Sequence, residues 1–211
     1  MFTSSETDFL LIVDMQMDFL PGGALAVSGG DAIVGPCRYL GRRFAHVGLT
    51  QDWHPAGHVS FASSHPGRGV LDSVDLPDGR SQILWPDHCL QGSRGAALAE
   101  GLDVPHAELV IRKGYRRELD SYSAFVEADG RTATGLAGYL RERGLRRVVV
   151  CGLATDFCAG WSAIDSVNAG FETWLIEDAT RGIDASGSMA RAFADMARAG
   201  VQRAMLNDFG L

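Results

Sequence analysis

Apolar residues come along this chain in two alternating arrangements, short unbroken runs and spaced stripes. Phe9-Leu10-Leu11-Ile12-Val13 is continuous and ends in Asp14, and Val148-Val149-Val150 leads through Cys151-Gly152 into Leu153-Ala154-Thr155-Asp156-Phe157-Cys158. Runs without polar alternation predict strands buried on both faces, the condition of parallel strands covered by helices. Further strands are expected at 47–50, 108–112, 173–178 and 201–206. Helical spacing joins Ile33, Tyr39, Leu40 and Phe44, and recurs after Cys158 in Trp161, Ile164 and Val167. Other helices are expected near 95–100, 133–143 and 188–199, with a loop-rich stretch running to about Leu90. Strand and helix in turn predict an α/β protein with a mostly parallel sheet flanked by helices on both faces.

In such sheets ligands bind beyond the carboxyl ends of the strands. Asp14, the pair Asp52 and His54, Lys113 and Cys158 each fall at such an end, so strand after strand delivers a reactive side chain to one edge. At 211 residues and 46% hydrophobic content, the chain suits one domain, 1–211. A formal net charge of -7 without a long basic run argues against nucleic acid as a partner, because phosphate binding needs clustered positive charge. The pair Arg146-Arg147 reads as a helix-to-strand corner. No apolar segment approaches membrane-spanning length, and Met1-Phe2-Thr3-Ser4-Ser5-Glu6-Thr7-Asp8 lacks a basic start and apolar core, so a cytoplasmic protein without a membrane partner is expected. Cys37, Cys89, Cys151 and Cys158 contain no CxxC pair, which disfavours a disulfide framework or a zinc knuckle.

Two constellations carry chemistry. Cys158 at a helix start is placed where free N–H groups and the helix dipole favour a thiolate, an ammonium at Lys113 would lower its pKa further, and a carboxylate at Asp14 could take and return the proton. Singly, Asp14 could be a cap and Lys113 a solvated strand end; the shared edge favours the joint reading. Asp52 and His54, at i and i+2, share a face of an extended chain, and His88 would complete a facial set for zinc, iron or manganese. Cys89, next to His88, points the other way in an extended segment and reads as packing; Cys37 and Cys151 read as inert.

Several stretches together resemble the nicotinamidases of the isochorismatase-like cysteine hydrolase superfamily. They are Leu11-Ile12-Val13-Asp14-Met15-Gln16-Met17-Asp18-Phe19 with Pro21-Gly22-Gly23, Asp52-Trp53-His54-Pro55 through His58, Trp85-Pro86-Asp87-His88-Cys89, Lys113-Gly114 with Asp120-Ser121-Tyr122, and Gly152-Leu153-Ala154-Thr155-Asp156-Phe157-Cys158. The resemblance spans nearly the whole chain; Met17 departs from it, standing where many members carry asparagine. It implies a six-stranded, Rossmann-like three-layer fold, an Asp14, Lys113 and Cys158 triad, and one divalent metal ion, zinc before iron or manganese, on Asp52, His54 and His88. His58 is left open as a further ligand. It also implies a cis peptide between Leu153 and Ala154, an oxyanion hole from the Ala154 and Cys158 N–H groups, and a ring pocket walled by Phe19, Trp85 and Tyr122. The implied reaction, a step of pyridine nucleotide salvage, is hydrolysis of nicotinamide, and of pyrazinamide, through a thioester, in a protein compatible with a homo-oligomer. The rivals are an N-carbamoylsarcosine amidase, an isochorismatase acting on an enol ether, and a non-catalytic pyridine-binding protein. The superfamily rivals generally lack the Asp52, His54 and His88 set, and a binding protein would need no Lys113 and Cys158 together.

Overall fold

Strand β1 (Asp8–Val13) is buried along its whole length, as its unbroken apolar run requires. A computed structural model describes residues 5–209 of the chain; most of the opening segment read above for targeting, Met1–Ser4, lies outside the described residues. After β1 come helix α1 (Val34–Gly41), β2 (His46–Asp52), the short strands β3 (Ser73–Asp75) and β4 (Ser81–Ile83), and β5 (Leu109–Lys113). They are followed by α2 (Leu136–Glu142), β6 (Arg147–Leu153), α3 (Cys158–Asn168), β7 (Glu172–Arg181), α4 (Ser188–Ala199) and β8 (Gln202–Ala204).

Six strands form one sheet in the order β5-β2-β1-β6-β7-β8, and every pairing in it is parallel. From β1 the chain crosses through α1 to β2 on one side, while from β6 it crosses through α3 to β7 on the other. Parallel crossovers are right-handed, so these two helices cover opposite faces, and the strand order reverses between β1 and β6. A crevice opens at such a reversal, beyond the carboxyl ends of the strands. The four strands expected to carry reactive ends, β5, β2, β1 and β6, are neighbours in the sheet.

Gly152 lets the two central strands close up at that end. It has a φ of +106°, and a side chain there would run into the Val13 carbonyl, so only glycine fits this approach. At the opposite end Arg147 grips Asp8 with two bonds, of 2.9 and 2.6 Å, which ties β6 to the start of β1. The corner read from Arg146-Arg147 is therefore also an ion pair across the sheet.

Three expectations are corrected. Residues 95–100 form turns and no helix, because their carbonyls are engaged elsewhere. Gly95 and Ala97 accept from the backbone N–H groups of Asp18 and Met17, and Ala96 accepts from the side chains of Gln16 and Gln51. The loop-rich stretch to Leu90 holds an antiparallel hairpin, β3 with β4, whose three-residue strands leave almost no apolar signature. On α3 the buried positions are small ones such as Ala159, Gly160 and Ala163, which let the helix lie close on the sheet. Trp161 instead points outward, 48% exposed.

Candidate active site

The ends of β2 and β5 are in direct register, Asp52 opposite Lys113, and the rest of the site is built around that pair. Lys113 is buried although it is a lysine, a placement that costs several kcal/mol unless the ammonium is paired. Its Nζ donates to Asp52 Oδ1, to the Ser121 carbonyl at 3.3 Å and to Cys158 Sγ at 3.1 Å, and it lies 2.7 Å from Asp14 Oδ2. Burial alone would lower the Lys113 pKa, but the negative charges of Asp14 and Asp52 hold it well above its ordinary value. Lysine therefore stays an ammonium here.

Asp14 follows β1 directly and has a φ of +45°, a left-handed conformation that a non-glycine residue adopts at a cost. Its N–H donates to Thr50 Oγ1 at 2.9 Å, and Thr50 Oγ1 donates in turn to Asp14 Oδ1 at 2.5 Å. Asp14 Oδ2 is buried and faces the Lys113 ammonium. Burial raises the Asp14 pKa; Lys113 lowers it and Asp52 raises it, with a net rise.

Cys158 opens α3 and is buried. The sequence suggested a thiolate there, and the helix start and the ammonium are both in place. Burial nevertheless pushes the Cys158 thiol well above its ordinary range; Lys113 pulls it down while Asp14 and Asp52 push it up again. The resting group is a thiol, and it needs a base. Nearby, the Leu153–Ala154 peptide is cis. The Ala154 carbonyl accepts from the N–H groups of Phe157 and Ala159, both at 3.0 Å, and skips that of Cys158. Among the described residues the Ala154 and Cys158 N–H groups have no acceptor, which leaves two donors free beside the sulfur.

On the far side of Asp52, His54 Nε2 and His88 Nε2 each lie 3.6 Å from Asp52 Oδ2. His54 Nδ1 is 2.8 Å from the Gly114 carbonyl, and His88 Nδ1 is 2.8 Å from the Pro86 carbonyl. A carbonyl only accepts, so both Nδ1 atoms carry the proton and both Nε2 lone pairs face the carboxylate. Three acceptors turned toward one another are a donor set for a cation, and these three residues form a potential metal-binding group. Burial raises the Asp52 pKa, but Lys113 and His54 outweigh it and hold the carboxyl well below its usual range, as a ligand requires. Burial lowers the His54 pKa and Asp52 more than restores it, so proton and cation compete for one lone pair. Gly114 has no room for a side chain, which would strike the His54 ring.

His58 is not part of that group. Its Nδ1 pairs with Ser60 Oγ at 2.7 Å, and it clusters with His54 and Asp120. A cavity of about 30 Å³ lies between the two constellations, lined by Phe19, Trp85 and Tyr122 together with Leu25, Phe157, Ile183, Cys158, Asp52, His54 and His88. Trp85 Nε1 donates to the Tyr122 hydroxyl at 3.0 Å, and the Trp85 and Phe157 rings meet edge to face at 4.9 Å. Behind these two rings runs a larger groove of about 360 Å³ beside Trp161, which Asp14, Lys113 and Cys158 do not line.

The Isochorismatase domain matches residues 8–205. The chain belongs to the isochorismatase family. Within it, the chain is 52% identical to a nicotinamidase of Acinetobacter baylyi over 92% of this chain and 90% of that protein. The solved structure of an Acinetobacter baumanii nicotinamidase and pyrazinamidase is 48% identical and superposes with a TM-score of 0.95, over 97% of this chain and 98% of that one. A Pyrococcus horikoshii pyrazinamidase solved in complex with zinc is 33% identical, with a TM-score of 0.77 over 95% and 99% of the two chains. No helix among the described residues is long and apolar enough to cross a membrane.

Two residues of this family member escaped the sequence reading. Gln16 holds the Asp52 backbone from both sides: its Oε1 accepts from the Asp52 N–H at 2.8 Å and its Nε2 donates to the Asp52 carbonyl at 2.9 Å. Thr50 holds Asp14. A signal existed for each, since Gln16 lies two residues after Asp14, and Thr50 lies two before Asp52 and shares its face of β2.

Proposed function

We infer that this protein is an amidohydrolase that converts nicotinamide to nicotinate and ammonia, acting as a single domain. The observation that carries the reading is the placement of one buried ammonium, Lys113, against Asp14, Asp52 and Cys158 at once. Cys158 Sγ attacks the carboxamide carbon as its proton passes to Asp14 Oδ2, the carboxylate oxygen beside Lys113. Negative charge develops on the carbonyl oxygen, where the free N–H groups of Ala154 and Cys158 receive it. Asp14 then gives its proton to the leaving nitrogen, and ammonia departs from a thioester on Cys158. The same carboxylate takes a proton from water, hydroxide attacks the thioester, the C–S bond breaks, and the proton returns to sulfur. Lys113 remains an ammonium throughout and keeps the two carboxylates from repelling each other.

Asp52, His54 and His88 would hold a divalent metal ion, zinc by the chemistry of the donor set and the zinc-bound pyrazinamidase relative. Such an ion supplies an open coordination position suited to a ring nitrogen. Phe19, Trp85 and Tyr122 wall a flat aromatic ring, and pyrazinamide, which keeps the ring nitrogen and the amide, is a second substrate.

The test is ammonia release from nicotinamide by the purified protein. Cys158→Ala should abolish it, while Cys89→Ala and Cys151→Ala retain most of it. No ammonia from nicotinamide, together with turnover of an N-carbamoyl compound, would overturn the reading.

A further inference from the structure

We propose that Thr50 is a positioning residue that assigns the proton traffic of the site to a single oxygen of Asp14. The proposal rests on the reading of function above and deepens it. Thr50 is fully buried on β2, and its hydroxyl has both of its roles filled by one residue. The Asp14 N–H can only donate, so Thr50 Oγ1 accepts from it at 2.9 Å; the single hydroxyl proton is then committed to Asp14 Oδ1 at 2.5 Å. The backbone pairing of β1 with β2 runs to Ile12 opposite Leu49. Thr50 continues the contact with its side chain where the ladder stops, and it pins a residue whose φ of +45° needs such support.

The consequence falls on the other oxygen. Lys113 has three protons and four acceptors around it, Asp52, the Ser121 carbonyl, Cys158 Sγ and Asp14 Oδ2. Asp14 Oδ2 thus lies 2.7 Å from the ammonium and shares it with three other acceptors, whereas Oδ1 has the Thr50 hydroxyl to itself. With Oδ1 committed to Thr50, Oδ2, the oxygen on the Lys113 side, is the one turned toward the thiol proton of Cys158. Without the Thr50 hydroxyl the carboxylate would be held through one oxygen alone, and the Asp14 N–H would lose its acceptor. Misplacement of this kind in a proton-transfer group lowers turnover and leaves ring binding alone, because Thr50 does not line the cavity.

Thr50→Val keeps the shape and removes the hydroxyl, Thr50→Ala removes it with less crowding, and Thr50→Ser restores it. In the metal-loaded protein, Thr50→Val should lower kcat for nicotinamide about 10- to 100-fold with KM within about twofold, and Thr50→Ser should recover most of the loss. If Thr50→Val fails to fold, Thr50→Ala is read in its place. Alkylation of Cys158 by iodoacetamide, which needs no amide substrate, should slow in the hydroxyl-less variants and recover in Thr50→Ser. A folded Thr50→Val or Thr50→Ala with unchanged kcat and alkylation rate would overturn the proposal, as would a Thr50→Ser variant as impaired as Thr50→Val, or a raised KM at constant kcat. Absence of nicotinamide turnover in the unaltered protein would defeat the proposed function, and the alkylation series would still decide whether Thr50 positions Asp14 as the base for Cys158.

Discussion

Cys158 Sγ receives a hydrogen bond of 3.1 Å from the Lys113 ammonium, yet its thiol is harder to ionise than a free cysteine. Both facts follow from burial. In a dry site the ammonium is already shared between two carboxylates, and the little positive charge left over does not offset desolvation of a thiolate. On the proposed mechanism the site works as a matched pair, a Cys158 thiol and an Asp14 carboxylate, in contrast to a standing thiolate. Asp14→Asn removes the proposed base, so ammonia release should fall by about 10²- to 10⁴-fold. Alkylation of Cys158 should slow in the same variant. Unchanged alkylation would mean that the thiol ionises without Asp14.

Removal of the metal ligands should act on substrate binding. His54→Ala, or dialysis against a chelator, should empty the site in elemental measurements of the protein and raise KM for nicotinamide. Benzamide has the ring and the amide without the nitrogen, and a site built for a polar contact penalises the analogue that lacks it. The specificity constant for nicotinamide should exceed that for benzamide by about 10⁴-fold, with pyrazinamide close to nicotinamide. Equal rates on benzamide would remove the ring nitrogen from the account.

His58 gives the metal-free protein a pH-dependent stability of known sign. Burial and the neighbouring His54 lower its pKa from 6.5 to about 4. Between those values the unfolded chain binds a proton that the folded protein refuses, so stability rises with pH across the window and is lost as pH falls from 6.5 toward 4. The slope for one such proton approaches about 1.4 kcal/mol per pH unit. Denaturant midpoints measured across this range should show a shallower dependence in His58→Asn than in the unaltered chain. Equal slopes would place the His58 titration near its ordinary value.

Much of the candidate site was legible because ligands in this fold bind beyond strand ends. Asp14 and Cys158 follow unbroken apolar runs, and Lys113 and Asp52 close two more. Their order in the sheet was not legible, since period and composition say nothing of which strand lies beside which. Residues 95–100 mimic a helix because alanine and leucine favour one, and carbonyls drawn into contacts with Gln16, Met17 and Asp18 override that preference. Trp161 fits the helical spacing and still faces outward, because small residues on the other side of α3 allow closer packing than an indole would. Thr50 and Gln16 are ordinary residues for a strand and a loop. Only the hydrogen bonds they make to Asp14 and Asp52 distinguish them, and those depend on strands brought together from distant parts of the chain.

The central claim is that a covalent acyl group passes through Cys158, and mass spectrometry of acid-quenched protein during turnover of nicotinamide tests it most directly. The account predicts a population of intact protein heavier by one nicotinoyl group, mapped by peptide fragmentation to the segment holding Cys158 and absent from Cys158→Ala. An adduct on Cys89, or steady ammonia release from Cys158→Ala, would contradict it.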